Sequence, residues 1–318
     1  MDWVYAGLGL LILLLAGDVL VRGAVNLSLR LGVPALIVSL TIVAFGTSAP
    51  ELLISIRAIM DNAPGIALGN VVGSNTANIL LVLGIPALMV GLKSGECETR
   101  KTYIYMILAS ILFIGLAALG PFGWVHGAVL LSVLALLLGD QMIEARSHRK
   151  QNAACAPSEE IEDIEGADPN LPWWKICLFL FLGLLGLPLG AELLVTGAVN
   201  IARTFNVTET VIGLTLVAIG TSLPELATTV MAALRRQADV ALGNVIGSNM
   251  FNLLAIIGIA SFVGEIPVEP KFLKFDLWVM LVASLMLAPF VFLNWNLTKR
   301  WGVVFSGLYV LYIVAVLI

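Results

Sequence analysis

A six-residue motif containing a proline and a glutamate occurs twice, each time inside a long apolar segment. The first copy, GTSAPE, runs from Gly46 to Glu51, and the second, GTSLPE, runs from Gly220 to Glu225. A carboxylate near the centre of a bilayer costs roughly 3 kcal/mol on insertion scales, and a proline inside a helix removes a backbone hydrogen bond. Because both costs occur twice, we interpret the two copies as the halves of one cation-binding site.

The composition indicates that most of this chain lies in a membrane. Of its 318 residues, 59% are hydrophobic and 12% are charged, and this charged fraction is about half that of a soluble domain. The first apolar segment is too long for a signal-peptide core and has no basic region before it, so we expect a retained transmembrane helix. Apolar runs of about 20 residues predict ten helices, at about 3–30, 34–60, 66–91, 102–120, 124–145, 173–204, 208–235, 239–263, 273–294 and 299–318.

The chain contains a long internal repeat. The segment from Asp18 to Gly84 aligns without a gap onto the segment from Glu192 to Gly258, at a constant offset (192 − 18 = 174). Five helices per half is an odd number, so the second half enters the membrane upside down. Inverted repeats with discontinuous helices at the midplane are typical of secondary transporters. We therefore predict an all-α polytopic membrane protein with ten transmembrane helices in two inverted five-helix repeats and broken helices at the midplane.

A polar segment separates the two halves and begins basic before it turns acidic. It has no EF-hand spacing, so we expect a loosely ordered linker rather than a regulatory calcium site. The predicted division is 1–145 for the first repeat, 146–172 for the linker and 173–318 for the second, inverted repeat.

The positions of lysine and arginine predict the orientation. The connections after helices 1, 3, 5, 7 and 9 hold most of these residues, and basic loops stay in the cytoplasm. We therefore expect a multi-pass plasma (inner) membrane protein with a cytoplasmic linker and both termini outside. The lipid bilayer is the expected surrounding. The sequence has no basic cluster with interleaved aromatic residues, so we expect no nucleic-acid binding. No obligate protein partner is evident.

The first motif places oxygen atoms around a carboxylate. Pro50 leaves the carbonyl of Gly46 without its helical partner, and we expect carbonyls just before it, including that of Ala44, to turn away from the helix axis into a cavity. Hydroxyl and carboxylate oxygens follow, at Thr47, Ser48 and Glu51, and again at Thr221, Ser222 and Glu225. Hard cations such as sodium and calcium take such ligands. The alternative is a proline-kinked structural helix with a satisfied core glutamate.

A second motif follows on the next helix of each half, as GSNTAN at 73–78 and GSNMFN at 247–252. Ser74 and Asn78 lie four residues apart and share a helix face, as do Ser248 and Asn252. These faces either form interhelical hydrogen bonds or supply cation ligands. We favour ligands, because inversion brings both faces towards Glu51 and Glu225.

Three other groups of polar side chains are left outside the predicted site. Asp18 and Arg22 have the spacing of an ion pair, and Glu192 occupies the position equivalent to Asp18. These residues could either anchor the helices or act as a gate at a vestibule, and the sequence does not decide between the two roles. The three cysteines lack a metal-type spacing and are expected to be free thiols. The cysteines are Cys97, Cys155 and Cys177. The two histidines, His126 and His148, do not recur in the repeat, so we assign them no role in ion binding.

Taken together, the GTSxPE and GSNxxN stretches resemble the alpha repeats of the sodium/calcium exchanger branch of the calcium/cation antiporter superfamily, of prokaryotic type. The resemblance covers nearly the whole chain. It implies that the acid, threonine and serine of the first motif, the serine and last polar residue of the second, and upstream backbone carbonyls coordinate the transported ions, calcium and sodium. Carried over, these are Thr47, Ser48, Glu51, Ser74, Asn78, Thr221, Ser222, Glu225, Ser248 and Asn252, with the carbonyls of Ala44 and Ala218.

The sequence departs from some members of that family at one point. Those members carry an aspartate at one of the two positions occupied here by Asn78 and Asn252. In the family such an acid accompanies potassium co-transport, which we therefore do not expect. Two central carboxylates neutralise one calcium ion or two sodium ions, and a third sodium ion would make exchange electrogenic.

The resemblance implies a secondary active antiporter that exchanges calcium for sodium by alternating access, with helices 1 and 6 as the gating unit. It implies no enzymatic activity and no cofactor. Proton/calcium exchange is an alternative, although that branch has a motif resembling GNxxE with a neighbouring histidine. A cation channel is another. A membrane-embedded enzyme would need a nucleophile–base pair or a metal triad, and the sequence has neither HExxH nor a repeated histidine.

Overall fold

The computed structural model describes residues 1–93, 99–152, 168, 170–205 and 218–317. These residues form helices and two isolated bridges between extended residues, without a β-strand. The helices are α1 (Asp2–Leu31), α2 (Ala35–Met60), α3 (Pro64–Met89), α4 (Arg100–Leu119), α5 (Trp124–Asn152), α6 (Trp173–Thr204), α7 (Ala218–Gly220 and Leu223–Leu234), α8 (Ala238–Val263), α9 (Phe272–Phe292) and α10 (Lys299–Leu317). Nine of them are long and apolar enough to cross a membrane, which confirms the predicted all-α membrane fold.

The predicted helix ends agree with the observed ones to within two residues, with one exception. Helix α5 continues to Asn152, so the prediction that it ends at residue 145 is wrong. The added residues, RSHRKQN from 146 to 152, include several good helix formers, and a helix need not end where its apolar stretch ends. The rest of the predicted linker up to residue 167, and the predicted start of α7 at 208–217, lie outside the described residues.

Helices α2 and α7 are broken within the repeated motif, as predicted. The backbone leaves helical geometry at Ser48 (φ −84°, ψ 1°) and at Ser222 (φ −89°, ψ 6°). Pro50 and Pro224 then lie in the first turn of the following piece, where a missing N–H removes no helical bond. Each break therefore leaves a new helix N-terminus in the interior of the protein.

The inverted repeat is visible in the contacts between α1 and α6. Gly9 of α1 packs on the backbone of Leu194, and a methyl group on Gly183 of α6 would lie 2.6 Å from Cβ of Leu20. Gly183 is the repeat equivalent of Gly9 (183 − 9 = 174), and Leu194 is the repeat equivalent of Leu20 (194 − 20 = 174), so the two contacts are equivalent. The two helices are therefore related by a pseudo-twofold axis, and glycines allow them to approach closely.

Helices α3 and α8 form the centre of the bundle, and most of their residues are buried. Helices α2 and α7 pack beside them, while large apolar side chains such as Trp3, Leu136 and Val310 are exposed on the outer helices. Exposed apolar side chains around the whole bundle are typical of a surface that contacts lipid. The polar motifs therefore lie at the least accessible part of the molecule.

Candidate cation-binding site

The two motif glutamates lie in the interior, one from each half. Glu51 and Glu225 have 0% exposure and lie in the first turn of the helix pieces that follow the breaks. The positive end of each helix dipole therefore faces a carboxylate, which stabilises negative charge. The two carboxylates are also close enough for their charges to repel each other. This arrangement concentrates negative charge at one buried point.

Hydrogen bonds connect the first motif to the second half of the chain. The Ser48 hydroxyl donates to Oε1 of Glu225 at 3.2 Å. The Thr47 hydroxyl lies 3.3 Å from Oδ1 of Asn244 on α8 and 3.3 Å from the carbonyl of Ala44. The inversion thus brings residues that are some 200 positions apart in sequence into one site, as the repeat predicted.

The second motifs meet where α3 crosses α8. The Asn252 amide donates to the Ser74 hydroxyl at 2.9 Å, and the Asn78 amide donates to Oδ1 of Asn249 at 3.1 Å. Asn75 and Asn249 donate to each other's backbone carbonyls, at 3.1 and 3.3 Å. The amide N–H groups of these faces therefore form interhelical hydrogen bonds, which was the alternative interpretation of the motif. Several oxygens of the same faces accept no hydrogen bond.

A set of buried oxygens has no hydrogen-bond partner among the described residues. A buried acceptor without a partner costs about 1–3 kcal/mol, so a group of them in one place calls for a ligand that the protein itself does not supply. A cation is such a ligand, because it binds oxygens without donating a proton. The unpartnered atoms are Oε1 and Oε2 of Glu51, Oε2 of Glu225, Oγ of Ser222 and Ser248, and Oδ1 of Asn75, Asn78 and Asn252.

The chemistry of this set favours hard cations. Among the described residues no group of three histidine, cysteine or acidic side chains has the geometry to hold a metal ion, so nitrogen and sulfur ligands are not gathered here. Hydroxyl, amide and carboxylate oxygens suit sodium and calcium. Every unpartnered oxygen named above except that of Asn75 belongs to a residue predicted as a ligand.

Two asparagines that the prediction did not assign to the site hold the glutamates in position. Asn70 on α3 donates to the backbone carbonyl of Glu51 at 3.2 Å and to the Ser55 hydroxyl at 3.2 Å. Asn244 on α8 makes the same pair of contacts in the other half, at 3.3 Å to the carbonyl of Glu225 and 3.1 Å to Thr229. Their recurrence at the repeat offset was a signal that could have identified them.

The predicted role of the Ala44 carbonyl is wrong in this structure. That carbonyl accepts the backbone N–H of Ser48 at 3.0 Å and lies within the helix piece Ala44–Thr47. The reason is that the break falls at Ser48, later than the bend expected at Gly46. Gly46 instead packs against the Leu184 side chain of α6, so its role is close helix approach. Ala218 is the first described residue of α7.

Residues that were left out of the predicted site lie elsewhere. Asp18 forms the expected ion pair with Arg22, at 3.1 Å, and a second one with Arg235 at the end of α7. Cys177 is an exposed free thiol, whereas Cys97 and Cys155 lie outside the described residues. His126 accepts the backbone N–H of Gly123 at the start of α5, which is a structural role.

A cavity of about 590 Å³ reaches the site from one side of the bundle. Its described lining includes Gly73, Ser74 and Thr221 of the motifs and also Glu269 and Lys271, which precede α9. In the other half, a methyl group on Gly247 would lie 2.5 Å from the carbonyl oxygen of Leu40, whose repeat equivalent, residue 214, lies outside the described residues. The described residues therefore place a cavity beside the site.

Two inverted halves, broken helices at the centre and a buried group of unpartnered oxygens beside a cavity are the features of a secondary transporter. The sequence profile of the family described as "Sodium/calcium exchanger protein" matches residues 1–141 and 175–318. The chain belongs to the sodium/calcium exchanger family, as its motifs predicted.

Individual relatives agree with this assignment. The sodium/calcium exchanger MaX1 of Methanosarcina acetivorans is 33% identical over 96% of this chain and 96% of its own length. The inner membrane protein YrbG of Escherichia coli is 32% identical over 92% of this chain and 89% of its own. A solved structure of the sodium-calcium exchanger NCX_Mj, soaked without Na⁺ and Ca²⁺, covers 99% of this chain and 98% of its own, with 32% identity and a TM-score of 0.81.

Proposed function

We propose that this protein exchanges calcium for sodium across a membrane, and that both ions use the one site between the two halves. The observation that carries the proposal is the set of buried oxygens without protein partners around Glu51 and Glu225. The related proteins MaX1 and NCX_Mj are named as sodium/calcium exchangers. The proposed ligands are the hydroxyls of Thr47, Ser48, Ser74, Thr221, Ser222 and Ser248, the amide oxygens of Asn78 and Asn252, the carboxylates of Glu51 and Glu225, and the carbonyl of Ala218.

Charge balance explains why such a site would couple two ions. Removing a bare carboxylate from water costs several kcal/mol, so two buried carboxylates oppose any movement that closes them off from solvent. One calcium ion or two sodium ions neutralise both charges and remove most of that cost. Loaded carriers therefore change sides and empty carriers do not, so the two fluxes are coupled.

Alternating access requires that the site opens to one side at a time. The cavity that Ser74 and Thr221 line would be the access route in one of the two states. Because the halves repeat the same motifs, exchanging their packing would open the other side. Helices α1 and α6, which pack on each other through glycines, are the proposed moving unit.

The orientation is part of the proposal. The multi-pass membrane protein would have both termini outside and the segment between α5 and α6 in the cytoplasm, because lysine and arginine concentrate on that side. With this orientation, the connection between α8 and α9 that holds Glu269 is external, and the described state opens outward.

Calcium uptake into proteoliposomes tests the proposal. Vesicles loaded with sodium and diluted into sodium-free buffer should accumulate radioactive calcium, and vesicles loaded with choline should not. Equal uptake in both would indicate a channel. Uptake driven as well by an outward proton gradient without sodium would support the proton/calcium alternative.

A further inference from the structure

Helix α9 carries a buried acid that belongs to neither motif. Asp276 is 5% exposed, although it lies within an apolar helix where a carboxylate is expensive. It lies outside the ungapped repeat, which ends at Gly258. The duplicated ion site therefore does not account for Asp276.

Asp276 lines the same cavity that reaches Ser74 and Thr221. The Tyr312 hydroxyl of α10 donates to its Oδ1 at 3.3 Å, and the Lys271 charge, one turn and a half away along the chain, acts on it. A long hydrogen bond from a neutral phenol and an exposed lysine compensate a buried carboxylate only in part. Asp276 is thus a partly compensated negative charge on the wall of the route to the site.

Such a charge acts on ions that pass it. A cleft with low-dielectric walls focuses the field of its charges and raises the local concentration of counter-ions. The structural alternative is that Asp276 serves only to fix α9 to α10 through Tyr312. The two roles differ in their dependence on charge, because Asp276→Asn removes the charge and retains a hydrogen-bond acceptor.

We propose that Asp276 is a cation-capture residue, whose carboxylate draws sodium and calcium into the cavity and so lowers the ion concentration needed to load the site from that face. It acts before the ions reach Glu51 and Glu225 and is not one of their ligands. This inference rests on the proposed function, since it presupposes cation transport through that site.

Sided transport kinetics test this role. We would measure initial rates of sodium-dependent calcium uptake against calcium concentration, in right-side-out and inside-out vesicles. For Asp276→Asn, the half-saturating calcium concentration should rise about 3- to 10-fold at low ionic strength when calcium is applied to the cavity face. The rise should shrink as salt screens the charge. The maximal rate, and half-saturation from the opposite face, should stay unchanged.

Control variants separate charge from structure. Lys271→Gln removes the positive charge beside Asp276 and should change half-saturation in the opposite direction, to a lower calcium concentration. Lys274→Gln removes an exposed lysine of the same helix turn that does not line the described cavity, and should have little effect. Tyr312→Phe removes the hydrogen bond and keeps the carboxylate, so it should leave half-saturation near the wild-type value. Asp276→Glu should restore capture.

Several results would overturn the inference while leaving the exchanger proposal intact. One is a wild-type calcium dependence in Asp276→Asn, and another is an equal shift on both faces, which would make Asp276 part of the central site. A shift in Tyr312→Phe as large as that in Asp276→Asn would assign the pair a structural role. If the wild-type protein showed no sodium-dependent calcium transport, both proposals would fail together.

Discussion

A tightly packed glycine and an exposed glycine should respond differently to the same substitution. At Gly247 of α8, a methyl group would lie 2.5 Å from the Leu40 carbonyl oxygen and 2.6 Å from Cβ of Ala44, both on α2. Gly115 of α4 is exposed, and no described neighbour lies within 4 Å of such a methyl group there. Alanine at Gly247 must therefore push α8 and α2 apart, and alanine at Gly115 need not.

The size of the effect follows from the distances. Non-bonded heavy atoms prefer separations of about 3.5 Å, so α2 has to move by roughly 1 Å. Overpacking of this kind costs about 1–3 kcal/mol, whereas alanine in place of a helical glycine gains about 1 kcal/mol. The free energy of unfolding should fall by roughly 0–2 kcal/mol in Gly247→Ala and rise by up to about 1 kcal/mol in Gly115→Ala. Because Thr47 lies on the displaced piece of α2, calcium binding should weaken as well, about tenfold for each 1.4 kcal/mol.

Thermal unfolding in detergent and equilibrium calcium binding, measured on both variants, provide the comparison. Gly247→Ala should unfold at a lower temperature and bind calcium more weakly than Gly115→Ala. Equal unfolding temperatures and equal affinities would refute the packing argument.

Four further substitutions test the site and its surroundings. Glu51→Gln and Glu225→Gln should each abolish calcium uptake in proteoliposomes without loss of folded protein, because one carboxylate does not neutralise a desolvated divalent ion; near-normal flux in either would contradict a shared site. Asn252→Asp adds a third acid and should change the ion selectivity or the pH profile of transport, whereas unaltered profiles would place Asn252 away from the ions. Asp18→Asn removes the carboxylate that pairs with both Arg22 and Arg235 and should lower the free energy of unfolding by about 2 kcal/mol, less than the 3–5 kcal/mol of a fully buried pair; an unchanged melting temperature would show that these ion pairs add no stability.

The parts of the fold that could be predicted are those set by local pattern. Apolar length fixes where helices cross a bilayer, and Pro50 and Pro224 mark the breaks because a proline in a helix interior loses a hydrogen bond. The repeat extended the prediction to long range, since an odd number of helices per half requires inversion. That step brought Glu51 and Glu225 together without any structural information.

The parts that could not be predicted depend on contacts between segments distant in sequence. The bend was expected at Gly46, but Gly46 packs on Leu184 of α6 and the break lies at Ser48, which local chemistry alone does not determine. The reciprocal amide bonds of Asn75 and Asn249 depend on how α3 crosses α8. The position of Asp276 on the cavity wall was likewise not visible, because no repeat marks it.

The most informative difference between the halves is one that the sequence cannot express. Glu51 and Glu225 occupy equivalent positions in nearly identical motifs, yet Glu225 accepts a hydrogen bond from Ser48 while neither oxygen of Glu51 has a partner among the described residues. Both motifs carry the same serine and glutamate, so the sequence also permits a second arrangement in which Ser222 bonds to Glu51. Two such states are what alternating access requires. Ions that neutralise both carboxylates then determine how readily one state converts into the other, so the duplicated motif supplies the binding site and the pair of states together.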